Sequence, residues 1–397
     1  MIVLLSMMAY RQSHRVYKEN GLSPGLSLCS QTSGTAKGTG FFCVSNDHPL
    51  FAKNKRSLMS LDYPFTELPL AGQRFKVAEG VFWLRFPLPF ALDHINLWLL
   101  EDTHGWVILD TGLGVRRSRE IWQQLLAEQL DGKPVTRVIV THYHPDHLGM
   151  AGWLEQHCGV PVTMSHGEWQ LADSICTASD AQTIERFKAF LASHGLLGDD
   201  LNKVAGKGNG FRRVVMPLPK SPDFIGEGDL LLINGEPWQV YIGRGHSPEH
   251  LCLYREKDHV LLSGDQVLPT ISSNLMVRPT EPEANPVMAF VDSLTVIRDA
   301  LPKDTLVLPA HGLPFRGLHA RINALVDHHS QQLEQVLVAC GQQPHNAHDM
   351  LPVMFKRELD VQQMMFAMGE SIAHLNCLLE QGKVQREERN GIWYFAA

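Results

Sequence analysis

From about residue 68 to residue 317 the apolar positions switch between two rhythms, a period near two and a period near 3.6. That switching predicts a mixed α/β domain. Val77-Ala78-Glu79-Gly80-Val81-Phe82-Trp83-Leu84 predicts two short strands turning at Gly80, and 94–100 with 106–110 predicts a strand pair. Helical spacing follows over 117–131 (Ile121, Leu125, Leu126, Leu130) and is closed by Gly132 and Pro134. A strand over 135–141, a helix over 148–158, a strand over 161–164 and a mostly helical stretch over 167–197, broken near Ser179, complete the first half. Strands are expected again at 230–233, 238–242, 251–254 and 260–262, then a helix over 285–300 and a last strand at 305–308. Between the halves, 198–227 is rich in Gly and Pro and carries Arg212-Arg213. It is expected to be irregular, either a substrate flap or a solvated connector.

The two ends follow other rules. Residues 1–58 hold seven Lys/Arg against two acids, with no sustained periodicity, and little order is expected there. An organellar leader is one reading. The plainer expectation is that translation begins at Met59. From Leu318 onward the pattern predicts helices over 320–340, 347–354 and 361–381. Two short strands, 384–388 and 392–395, then flank Asn390-Gly391, a strong two-residue hairpin signal. Three helices and a hairpin are the layout of a small winged-helix domain. The expected division is therefore 1–58, 59–317 and 318–397.

Composition narrows the classes. With 44% hydrophobic and 19% charged residues, the chain of 397 reads as an ordinary globular protein. A net charge of -7 supplies no general attraction to nucleic acid or to an anionic membrane. No apolar run approaches the roughly 20 residues that cross a bilayer. Seven scattered cysteines without a CxxC pair argue against a disulfide framework and for a reducing, cytoplasmic setting. The twenty histidines are the one oddity.

Several of those histidines are concentrated. Thr141-His142-Tyr143-His144-Pro145-Asp146-His147-Leu148-Gly149 places three imidazoles and a carboxylate just after the apolar Val138-Ile139-Val140. Nitrogen and carboxylate donors suit borderline metals, and a strand end can turn several of them toward one point. Three more candidates each follow a strand: His246 in Gly245-His246-Ser247, Asp265 in Gly264-Asp265, and His311 in Ala310-His311-Gly312. Loops at strand ends of α/β sheets are where ligands and catalytic groups collect. A single His or Asp is more often a hydrogen-bonded structural residue; seven in one order are not.

In these motifs and in their order the chain resembles the metallo-β-lactamase superfamily over roughly residues 75–315. About 100 residues separate the first cluster from His246, with 19 and 46 more to Asp265 and His311. The resemblance implies an α+β fold, a four-layer αββα sandwich with two divalent metal ions at one edge. Carried over residue by residue, His142, His144 and His246 hold the first ion, Asp146, His147 and His311 the second, and Asp265 bridges them. Zinc is the expected metal, with iron or manganese as alternatives. The reaction implied is hydrolysis by a metal-bridging hydroxide, with Asp146 passing a proton to the leaving group. Asp110, in Asp110-Thr111-Gly112, and His250 are expected to orient the ligands. Tyr143, between two of them, is open in direction. Phe90, Asp93, Ser273, Asn274 and Arg316 are candidate substrate contacts, each equally readable as a loop-structuring residue.

Among subfamilies the layout resembles the β-lactamase-like-2 proteins, a metallo-β-lactamase domain followed by a winged helix. Residues 318–397 carry six Lys/Arg against nine acids, and a winged helix that grips phosphates should be basic. The expected substrate is therefore a small ester, thioester or lactone. The alternatives are a metal-dependent endoribonuclease or phosphodiesterase, and an iron-dependent persulfide dioxygenase. Met354, Phe355, Met364, Met365, Phe366 and Met368 suggest an apolar face packed on the catalytic domain or on a second copy in a homodimer, with a pocket for an acyl chain as a further reading.

Overall fold

The computed structural model describes residues 61–397 except 90, 91, 207, 208 and 216; the expectations for 1–58, and the candidate Phe90, lie outside the described residues. The seven-stranded first sheet runs β1 (Phe75–Ala78), β2 (Val81–Pro87), β3 (His94–Asp102), β4 (Gly105–Leu109), β5 (Val135–Ile139), β6 (Val162–Met164) and β7 (Asp223–Phe224) in spatial order. It is antiparallel as far as β4 and parallel from β4 to β7. β8 (Leu230–Ile233), β9 (Glu236–Gly243), β10 (His250–Arg255), β11 (Val260–Gly264), β12 (Leu306–Pro309) and β13 (Phe315–Arg316) form a second sheet in reverse order.

Strand β3 explains why the two sheets stack. Its first seven residues are all buried, so both of its faces are covered. On one face, Trp98 and Leu100 join Trp83, Leu109 and Ile139 against Val240, Leu251, Leu253, Leu262 and Leu308 of the second sheet. On the other, Ile95, Leu97 and Leu99 pack with the helices α1 (Arg116–Glu128), α3 (Ala151–Cys158) and α4 (His166–Thr177); α2 (Pro145–Leu148) is a single turn before α3. The outer face of the second sheet is covered by helices α5 (Asp180–Ser193), α6 (Gly198–Ala205), α7 (Pro286–Ala300), α8 (Leu318–Gln342) and α10 (Val361–Glu380), with the short α9 (Leu351–Met354) beside them. The result is the expected four-layer αββα sandwich.

Local signals account for most boundaries. The break near Ser179 is a capping box: its hydroxyl accepts from the Gln182 N–H while the Gln182 side chain reaches back. The hairpin β14 (Gln385–Arg389) to β15 (Ile392–Ala396) turns through Asn390 (φ 53°) and Gly391 (φ 79°), the positive pair that a type I′ turn requires. Two expectations change. The helix predicted over 148–158 is split into α2 and α3. The stretch 198–227 is not wholly irregular, because α6 and β7 lie within it; its charged first turn, Asp199-Asp200, hid the apolar face of Leu201, Val204 and Ala205.

Residues 61–397 form one compact unit. Three helices and a hairpin follow Gly317 in the expected order. Met350, Met354 and Met368 share a core with Val267, Leu275, Phe290 and Leu294, so the Met-rich face of the tail packs on the catalytic layers. Arg386 pairs with Glu283 at 2.9 Å and the Asn376 amide donates to the Pro282 and Ala284 carbonyls, which tie the tail down further. Among the described residues no helix is long and apolar enough to cross a membrane, and the five cysteines there are all free thiols.

Candidate metal centre

Four loops at one edge of the sandwich bring the seven residues together. Strand β5 delivers His142, His144, Asp146 and His147; the β9–β10 loop supplies His246, the end of β11 Asp265, and the end of β12 His311. One ligand atom each from His142, His144, His246 and Asp265 lies within 4.8 Å of the others, as do those of Asp146, His147 and His311. Asp265 stands between the two groups: Oδ2 is 3.3 Å from His246 Nε2 and 3.6 Å from His147 Nε2, while Oδ1 is 3.3 Å from His311 Nε2. Asp146 Oδ2 is 3.4 Å from His311 Nε2.

Tautomers follow from the outer partners. His246 Nδ1 lies 2.9 Å from the Asn274 carbonyl, and His311 Nδ1 2.9 Å from the His94 carbonyl. A carbonyl only accepts, so both Nδ1 atoms carry the proton and both Nε2 atoms present a lone pair. His147 Nδ1 lies 2.7 Å from Asp110 Oδ2, which aims its Nε2 inward. The Nε2 atoms of His147, His246 and His311, both Asp146 oxygens and Asp265 Oδ1 are buried without a hydrogen-bond partner. Native interiors rarely leave such atoms unpaired; six of them converging on one point fit cations.

Electrostatics agree. Burial opposes the imidazolium at His147, yet Asp110, Asp146 and Asp265 outweigh it and hold its pKa well above the usual value. Burial also favours a neutral Asp265, but His311 and His147 press its carboxyl well below the carboxylate range. Burial and neighbouring imidazoles push His142 and His144 well below 6.5. The ion pairs of Asp146 and Asp265 are all with imidazoles. Buried carboxylates need positive charge nearby, and two divalent ions, if held by these two groups, would supply it. The donor set fits a dinuclear centre.

Comparison with known proteins decides the family. The description "Metallo-beta-lactamase superfamily" matches residues 91–311, and "Metallo-beta-lactamase-like, C-terminal domain" matches 333–397. The chain belongs to the metallo-beta-lactamase superfamily. A beta-lactamase domain protein from Burkholderia ambifaria, known from its crystal structure, is 44% identical with a TM-score of 0.79, covering 85% of this chain and 98% of that one. The probable metallo-hydrolase YqjP of Bacillus subtilis is 25% identical over 328 residues, 80% of this chain and 98% of the relative. The human acyl-coenzyme A thioesterase MBLAC2 is 22% identical over 197 residues, 48% of this chain and 64% of the relative. This superfamily member is accordingly a metal-dependent hydrolase.

The residues around its centre divide into those the motifs pointed to and those they did not. Asp110, at φ 61°, accepts from the Thr141 N–H at 2.8 Å as well as from His147, so it holds the start of the ligand loop. His250 Nε2 accepts from the Asp265 N–H at 3.0 Å; burial presses its pKa down to about 3 and keeps it the neutral acceptor. Ser273 donates to the Asp265 carbonyl, and Asn274 holds His246, so both brace ligands. Asp93 holds His94, whose other nitrogen accepts from the Gly312 N–H at 3.0 Å beside His311. Arg316 is not brought to the centre: its guanidinium donates to the Asp304 carbonyl, at the far end of β12 from His311.

Glu168 was invisible to motif reading. Its buried carboxylate accepts from the Tyr143 N–H, the Ser247 hydroxyl and the Glu249 N–H at 3.0, 2.6 and 2.7 Å, joining two ligand loops. Asn96 likewise donates to the Pro309 and Gly312 carbonyls around His311 and accepts from the Trp83 indole. No spacing rule marks either residue, since their partners lie 13 to 216 positions away. A polar Asn96 inside the apolar run 95–100 is the one signal that was available.

Proposed function

We infer that the centre hydrolyses a small ester, thioester or lactone and works with a pair of zinc ions. The observation that carries the hydrolytic reading is the convergence of six unpartnered buried atoms around Asp265. A thioesterase among the relatives supports the acyl substrate, as does the acidic tail, which is a poor match for a polyanion. Divalent ions in such a site supply Lewis acidity toward a carbonyl oxygen and lower the pKa of bound water.

The chain's own contribution is geometric and protonic. His142, His144 and His246 would hold one ion, Asp146, His147 and His311 the other, and Asp265 both. Asp110, His250, Asn274 and His94 keep the donor atoms aimed inward. Asp146, whose two oxygens have no hydrogen-bond partner, is the group assigned to carry a proton to the departing oxygen or sulfur. The tail acts as a winged-helix-like brace on the catalytic layers and is not assigned a nucleic acid.

The test is turnover by zinc- or manganese-loaded protein on a thioester, a lactone, an aryl ester and a labelled single-stranded RNA, with Asp146→Ala as control. Turnover of an acyl substrate that is lost in the variant, with RNA intact, is the expected result. Metal-dependent RNA cleavage lost in the variant would replace this reading with a nuclease.

A further inference from the structure

Beside the centre lies a cleft, partly open to solvent, with about 1020 Å³ of empty space when its open mouth is included. Its wall is mainly apolar and is assembled from distant segments: Ile175 of α4, Phe187 of α5, Val204 of α6, Phe211 of the following loop, Met276 of the loop after Asp265, and Met365 of α10. Its inner end is different. Tyr143, between the ligand candidates His142 and His144, is buried there with its ring centroid 4.5 Å from that of His144. Arg278 donates to the Tyr143 hydroxyl at 3.2 Å and lies 3.8 Å from Glu281.

We propose that this cleft is an acyl-chain subsite, in which a saturated chain lies along Ile175, Phe187, Phe211 and Met365 while its carbonyl end points past Tyr143 and Arg278 to the metal centre. Three observations favour that occupant. Most of the lining is apolar, interrupted by Ser174, Thr183, Arg186 and Asn209, and Tyr143 with Arg278 forms the polar end nearest the donor atoms, which suits an amphiphile with one polar terminus there. The same loop that carries Asp265 and holds His246 through Asn274 continues into Met276 and Arg278, so chain and reacting atoms are positioned by one segment. The C-terminal helices complete the wall. Met365 lines it, and α10 is held against Met276 by the Val277 N–H donating to the Gly369 carbonyl. A Cβ at Gly369 would sit 2.1 Å from Met276 Cγ, so that close approach needs glycine.

The location of the subsite stands on the cleft itself; the reaction at its inner end rests on the ester-hydrolase reading. Two measurements separate them. In metal-loaded protein, titration calorimetry should show decanoate binding at least about 100-fold tighter than acetate, from burial of several methylenes. Ile175→Trp and Met365→Trp, which fill the cleft from two different helices, should each reduce that ratio tenfold or more. Along an acetyl-to-decanoyl thioester series, kcat/KM should rise about threefold per added methylene, in line with partial burial of each, and the same two variants should flatten the rise. Decanoate binding no tighter than acetate, or a ratio unchanged in both variants, overturns the subsite. Chain-selective binding that both variants abolish, without turnover of any thioester, supports the subsite and refutes the ester-hydrolase reading instead. Turnover with no dependence on chain length, and no effect of either variant on that profile, refutes the subsite alone.

Discussion

Among the described residues, two groups of buried histidines have opposite characters. At the metal centre, imidazoles face carboxylates and leave lone pairs unpartnered. Beneath the C-terminal helices, His329 and His374 stack with ring centroids 5.6 Å apart. There every ring nitrogen has a neutral partner. His329 Nε2 meets the Ser272 hydroxyl at 2.8 Å, His329 Nδ1 meets His374 Nε2 at 3.4 Å, and His374 Nδ1 donates to the Glu370 carbonyl at 2.8 Å. Burial pushes His329 down to about 2 and His374 to about 4, so both are neutral core residues. Burial of histidine alone therefore says nothing about function. What separates the centre from that core is a pair of buried carboxylates facing ring nitrogens that have no other hydrogen-bond partner.

The contrast can be broken most strongly at the carboxylate shared by both groups. Asp265→Ala should reduce bound divalent metal below two ions per chain and cut activity by more than about 100-fold, beyond the range of supporting residues; elemental analysis and kcat/KM on the same sample check it, and full metal content would contradict the bridging role. Next in size is the effect of metal on stability. Ions bound at 100 times their Kd stabilise the fold by about 2.7 kcal/mol, so chelation should lower the Tm of wild-type protein but barely change that of Asp265→Ala. Equal shifts in both would mean that the stabilising ions bind elsewhere.

A smaller effect is expected one bond further out. Asp110→Asn keeps the shape but loses the charge behind His147, and should weaken metal affinity about 10- to 100-fold, read by competition with a chelating dye. The smallest effect belongs to the satisfied pair. Above pH 6.5 His374 is neutral whether folded or unfolded. As the pH falls from 6.5 to about 4, the unfolded chain takes up a proton that the folded protein refuses, so stability falls, by at most about 1.4 kcal/mol per pH unit. In His374→Gln that contribution should vanish. Urea midpoints at pH 7 and pH 5 with metal chelated in both proteins measure it, and identical slopes would show that His374 is charged in the fold.

Taken by itself, the order of residues displayed the candidate ligand set and most of the strands and helices. His142, His144, Asp146 and His147 share one strand end, and three more ligands each follow an apolar run; chemistry of that kind is written locally. The hairpin at Asn390-Gly391 and the capping box at Ser179 were equally local, since each depends on backbone angles or hydrogen bonds within a few residues. Only the tertiary structure decided what surrounds the centre. Glu168 and Asn96 reach partners up to 216 positions away, Arg316 turns away to Asp304, and the cleft beside the centre is a space between seven segments rather than a property of any one. A sequence displays which groups can bind or bend, but emptiness, burial and the company a charge keeps arise only when distant segments pack.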